Sequence, residues 1–90
     1  MGVKVNLPAY LQSYAADSEV VEVPGSTAAE CLTHLVERFP DIGKMVFAEA
    51  GKLHDYVSIY VNGEVAYGDE LDRPVSDGDD LHILYILGGG

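Results

Sequence analysis

The sequence is poor in cysteine and in positive charge, and it has no long apolar stretch. Its one cysteine is Cys31. No disulfide can form within the chain, and a lone thiol fits a reducing compartment. Five lysine and arginine residues stand against fifteen aspartate and glutamate residues, a formal net charge of −10. Such a surface repels nucleic acid and speeds encounters with a basic protein surface. The same charge would also serve simply to keep a small domain soluble. The longest wholly apolar run is Ile83 to Leu87, far short of the roughly 18 residues that cross a membrane. The opening Met1-Gly2-Val3-Lys4-Val5-Asn6 has neither the apolar stretch nor the cleavage site of a secretory signal. The chain is therefore read as cytoplasmic.

Catalytic and metal-binding signatures are equally scarce. There is no glycine-rich phosphate loop followed by Lys-Ser/Thr, no Cys-x-x-Cys pair and no His-Glu-x-x-His. Cys31 falls on an apolar helical stripe and reads as a packed small residue, with a nucleophile as the alternative. His34 falls on the polar side of that helix, His54 lies in a loop, and His82 alternates with core positions on a strand. None has a sequence-adjacent partner that would argue for general acid–base work. Asp77, Asp79 and Asp80 surround a turn glycine without the spacing of a calcium loop. No metal and no cofactor are expected.

What the sequence does hold is one small domain. Ninety residues, 48% of them hydrophobic, support a single modest core that buries about 60–65% of the unfolded surface. Alternation predicts strands over Val3 to Leu7 and Glu19 to Val23, pairing as a hairpin through a loose turn around Ala15 to Ser18. Pro24-Gly25 ends the second strand. Thr27, with Glu30 three residues on, matches a capping box. Ala28, Cys31, Leu32, Leu35, Val36 and Phe39 recur at helical spacing, and Pro40 closes that helix. Asp41 to Asp55 is irregular, with a short helical turn around Lys44 to Phe47. Val57 to Val61 is a strand, Asn62-Gly63 a tight turn, and Glu64 to Ala66 the returning strand. After loops at Asp69 to Pro74 and Asp77 to Asp79, Leu81 to Leu87 is a last strand, apolar on both faces. That pattern suits the centre of the sheet, beside the first strand. The expected class is α+β: a mixed sheet packed on one main helix, in a β-grasp arrangement.

The chain then ends in Gly88-Gly89-Gly90. Glycines with no side chain to pack are compatible with a frayed tail. Their position after a central, rigid strand gives them another use, as a thin arm that carries a carboxylate into a narrow site on another protein. Residues 1–87 are thus read as the folded domain and 88–90 as a flexible tail. A carboxylate must be activated before it reacts, and nothing here would bind a nucleotide to do so. The chain reads as a carrier and co-substrate, not an enzyme.

These features together resemble the MoaD/ThiS sulfur carriers, which share the ubiquitin fold. The resemblance spans nearly the whole chain. It rests on Val3 to Pro8, Ser26 to Leu32, Val57 to Gly63, Val75 to Asp79 and the terminal Gly89-Gly90. The ending Leu81 to Gly90 also looks like that of ubiquitin. Gly51 to Asn62, with Asn6-Leu7-Pro8, most resembles the carrier of bacterial cysteine biosynthesis, which serves a sulfhydrylase acting on an activated serine. Gly88 departs from many relatives, which have another small residue there. The resemblance implies that an ATP-dependent, ubiquitin-activating-like enzyme adenylates the carboxylate of Gly90. A sulfur donor then replaces AMP, and the thiocarboxylate delivers sulfur to a synthase or sulfhydrylase. The small subunit of molybdopterin synthase, a carrier for another sulfur-containing metabolite, and a modifier that forms isopeptide bonds remain alternatives. No nucleic acid or membrane partner is implied, and the free chain is expected to be a monomer.

Alternation on the last strand also predicts a docking face. It puts Leu81 and Ile83 toward the helix with Val57, Ile59 and Val61. His82 and Leu84 fall on the other face with Tyr60, and Ile86 continues toward the tail. With no second helix to cover it, this face is expected to be an exposed apolar patch that receives partners. The alternative is that it packs against the Asp41 to Asp55 segment.

Overall fold

The chain runs β1 (Val3–Asn6), α1 (Ala9–Gln12), β2 (Val20–Val23), α2 (Ala28–Arg38), α3 (Gly43–Val46), β3 (Phe47–Glu49), β4 (Lys52–Leu53), β5 (Val57–Val61), β6 (Glu64–Val65) and β7 (Asp80–Tyr85), with 3-10 turns at Ser13–Ala15 and Pro40–Ile42. A computed structural model describes residues 2–49, 51–65 and 71–85. Ala66, the loop positions 69 and 70, and the expected end of the last strand at 86 and 87 lie outside them.

Five strands form one mixed sheet in the order β2-β1-β7-β5-β6. The expected central strand is central: β7 runs parallel to β1 with Val5 opposite Leu81, and antiparallel to β5 with Ile59 opposite Ile83. Asn62 and Gly63 both have positive φ, 52° and 84°, the geometry of a type I′ hairpin turn. One face of the sheet is the core. Val3, Val5, Ile59, Leu81 and Ile83 are at most 1% exposed beneath α2, which contributes Ala28, Cys31, Leu32 and Leu35. Val36 and Phe39 sit at the margin of the helical stripe, half-buried.

The cap of α2 is as expected, with one addition. Thr27 Oγ1 accepts the amide of Glu30 at 3.2 Å, and Glu30 Oε1 reaches back to Ser26, accepting its amide at 2.8 Å and its hydroxyl at 2.9 Å. The box therefore closes on the residue before the N-cap. At the other end, Arg38 donates to the Glu22 carbonyl at 3.2 Å and lies 5.4 Å from the centre of the Phe39 ring.

Two connections differ from expectation. The link between β1 and β2 is no loose turn. It carries α1 and a 3-10 turn, which bury Leu11 and Ala15 completely. Segment 41–55 is more structured too. Its helical turn lies at Gly43–Val46 and is followed by the small β3–β4 hairpin, with Ile42 and Val46 in the core. In both places buried side chains, not local propensity, hold elements of four residues or fewer.

Candidate functional site at the end of the central strand

The β7 alternation separates its side chains as the sequence implies. Leu81 and Ile83 are buried, His82 is half-buried, and Leu84 is 39% exposed. The register then assembles the outer face. Val20 lies opposite Asn6, Asn6 opposite His82, His82 opposite Tyr60, and Leu84 opposite Ser58. Tyr60 is half-buried, Val20 is 47% exposed and Ser58 is buried. The structure thus brings together Tyr60, His82 and Leu84, three of the expected docking residues. Ile86, Gly88, Gly89 and Gly90 lie outside the described residues. Leu84 is 39% exposed, while Ile42 and Val46 of segment 41–55 lie in the core.

On the helix side the same strand end carries a feature that sequence reasoning missed. Because β5 is antiparallel to β7, the residue before Val57 falls beside the end of β7. Because β1 is parallel to β7, the chain leaving β1 falls there as well. Tyr10 and Tyr56 consequently meet Tyr85, with ring centroids 4.0 and 4.9 Å apart. His54 stacks on Tyr56 at 4.7 Å, and its Nε2–H donates to the Lys44 carbonyl at 3.0 Å. The Tyr85 hydroxyl donates to the carbonyl of Met45, and burial raises its pKa above the usual phenol value. These rings are far apart in sequence, so no local pattern announces their meeting.

The remaining polar candidates are accounted for structurally. Cys31 is fully buried. Burial, aided by the nearby Glu30 carboxylate, pushes its thiol up to about 11, so the thiolate is scarce at neutral pH. A β-carbon on Gly25 would come within 2.7 Å of its Sγ, which shows how tightly the thiol is enclosed. His34 pairs with Glu37 at 3.3 Å on the polar side of α2. Among the described residues no three His, Cys, Asp or Glu side chains gather as metal ligands, and no helix is long and apolar enough to cross a membrane. A cleft of about 520 Å³ between α2 and the β3–β4 hairpin is lined by Ala29, Val36, Phe47 and Leu71 among others, and is predominantly apolar.

A mixed five-stranded sheet over one main helix, with β7 between β1 and β5, is the ubiquitin-like β-grasp. The ThiS family matches residues 5–90. The chain belongs to the ThiS family. The sulfur carrier protein CysO of Mycobacterium tuberculosis is 31% identical over 93 residues, with both chains covered in full. A chain in the crystal structure of the Amycolatopsis orientalis BexX/CysO complex superposes with a TM-score of 0.88 at 31% identity, covering 99% of this chain and 100% of its own length. The small archaeal modifier protein 1 of Haloferax volcanii superposes at 0.82 with 28% identity, over 94% of this chain and 97% of its own.

Proposed function

We propose that this chain is a sulfur carrier that works through the carboxylate of Gly90. The observation that carries the reading is the match, at 31% identity and with both chains covered in full, to a protein named as a sulfur carrier. In the proposed sequence a partner enzyme joins the Gly90 carboxylate to the AMP part of ATP, releasing pyrophosphate. Sulfur at the sulfide level attacks that acyl carbon, the bond to the AMP oxygen breaks and AMP leaves, and loss of a proton yields the thiocarboxylate. The thiocarboxylate sulfur then attacks an acceptor held by a synthase or sulfhydrylase. In this reading the chain is a co-substrate, not a catalyst. The enclosed, protonated state of Cys31 supports placing the sulfur on the terminus. Cysteine biosynthesis in the cytoplasm is the favoured setting, on the resemblance to the cysteine-biosynthesis carrier.

The outer face formed by Tyr60, His82 and Leu84, with Ile86 beyond the described residues, is the proposed dock for the activating enzyme. Gly88 and Gly89 supply the slender arm. A second reading, as a protein modifier, is favoured by the likeness to the archaeal modifier protein.

Intact-mass spectrometry of protein taken from its native host separates the two. Replacement of one oxygen by sulfur at the terminus supports the carrier, and ladders of conjugated target proteins support the modifier. Adding one uncleaved residue after Gly90 should leave the fold intact and abolish adenylation, since a displacement of about 1 Å at a reacting atom can cost about 10²-fold in rate. Sulfur loading of that extended chain at full rate would overturn the carrier reading.

A further inference from the structure

Among the described residues the exposed large hydrophobic side chains are Tyr10, Tyr14, Val20, Tyr56 and Leu84. Three of these, Tyr10, Tyr56 and Leu84, gather around the last two residues of β7. Leu84 faces outward, and the two tyrosines flank the Tyr85 ring on the opposite, helix side. The rings come from α1, from the loop before β5 and from β7, so only the tertiary fold unites them. They are held in place before any partner arrives, by ring contacts of 4.0, 4.9 and 4.7 Å and by the hydrogen bond from Tyr85 to Met45. Tyr10 and Tyr56 nonetheless remain 38% and 42% exposed.

The geometry points to Tyr10 and Tyr56 as a second protein-binding contact, which seats the rim of the enzyme pocket that receives Gly90. This rests on the carrier reading above. Five residues follow Tyr85, a reach of at most roughly 17 Å even when fully extended. An enzyme that acts on Gly90 must bring its pocket mouth within that distance. A standard interface of about 800 Å² per partner has a radius of roughly 16 Å, so a footprint centred on the tail takes in both flanks of β7. Rigid tyrosines supply contact area at low entropic cost and are over-represented among binding hot spots. Their ring faces suit apolar side chains and arginine or lysine, and the net charge of −10 favours a rim that carries such cations.

The test uses the full chain with the host's ubiquitin-activating-type adenylating enzyme, read by ATP–pyrophosphate exchange. The double variant Tyr10→Ala/Tyr56→Ala should raise the KM for the carrier at least about tenfold while kcat stays within about twofold, the signature of lost binding. Phenylalanine at both positions should keep KM near wild type, because the ring faces make the contact. Hydroxyl-radical footprinting of the unaltered chain needs no variant to fold, and both rings should be protected when the enzyme is added. An unchanged KM in a folded alanine variant overturns the inference, as does undiminished oxidation of both rings in the complex. A chain extended past Gly90 separates the two levels. If it is adenylated normally, the carrier reading itself fails. If it is inert while the tyrosine variant behaves as wild type and its rings stay unprotected, only the second contact fails.

Discussion

Leu81 and Leu84 are the same side chain on the same strand, three positions apart, with opposite environments. Leu81 is fully buried opposite Val5 and Val61, whereas Leu84 is 39% exposed opposite Ser58. Burying a leucine contributes about 1.5–3 kcal/mol, and the strand uses that only on its helix-facing side. On the other side the chain leaves Leu84 open in a protein whose composition could easily have supplied a charge there. Pleat and strand order, not residue type, divide β7 into a buried face for folding and an open face, which is the proposed dock.

The largest expected effect breaks that division from the buried side. Leu81→Asp puts a carboxylate under α2 in the apolar core cluster, and an unpaired buried charge is among the few single changes that cost more than about 4 kcal/mol. Against a typical total of about 5–15 kcal/mol, most of the stability should go, visible as loss of the cooperative thermal transition in circular dichroism. The same substitution at Leu84 should shift stability by about 0.5 kcal/mol or less. It should weaken binding to the activating enzyme by at least about 2 kcal/mol, as for a central anchor. Rim acids such as Asp80 should instead change the association rate and its salt dependence. If Leu84→Asp unfolds, Leu84 belongs to the core after all. If it folds and binds normally in titration calorimetry, the dock lies elsewhere.

How much of this could be read in advance follows from where the stabilising contacts lie. The central place of β7, the Asn62-Gly63 turn, the cap at Thr27 and the helical stripe through Leu35 are all local patterns, and each is found where the sequence put it. The helical turns between β1 and β2 escaped because they are short and held by Leu11 and Ala15 in the core. The β3–β4 hairpin escaped for a similar reason, having strands of three and two residues. The outer face of Tyr60, His82 and Leu84 was legible from alternation. The tyrosine cluster was not, because Tyr10, Tyr56 and Tyr85 become neighbours only once β1, β5 and β7 are in register.

Cys31 sharpens the contrast from beneath the sheet, because it belongs to the folding side and should take no part in the chemistry. Cys31→Ala should cost roughly 1–2 kcal/mol by leaving a small cavity, measured by urea denaturation, with sulfur loading unchanged. A folded Cys31→Ala protein that no longer loads would place the sulfur on this thiol. The pH dependence has a definite sign. Folding raises the thiol pKa from 9.0 to about 11, so the stability tied to the neutral thiol is complete below pH 9 and declines as pH rises toward 11. The alanine variant should lack that alkaline decline.

The smallest effect concerns the cap that fixes where α2 begins, and so how squarely its stripe meets Leu81 and Ile83. Thr27→Ala removes the acceptor of the Glu30 amide and should cost about 1 kcal/mol, without altering the outer face or binding there. Glu30→Gln tests the other half of the box. The Ser26 amide, then the Ser26 hydroxyl, holds the Glu30 carboxyl below its ordinary value of 4.5, because both donate to the charged form. A depressed carboxylate pKa contributes stability that is present above pH 4.5 and is lost as pH falls through the lower folded value. Wild type should therefore exceed Glu30→Gln slightly at pH 7, and the two should converge in acid. Parallel acid limbs for the two proteins would show that the Ser26 hydrogen bonds add nothing to the fold, leaving Thr27 alone to set the start of the helix.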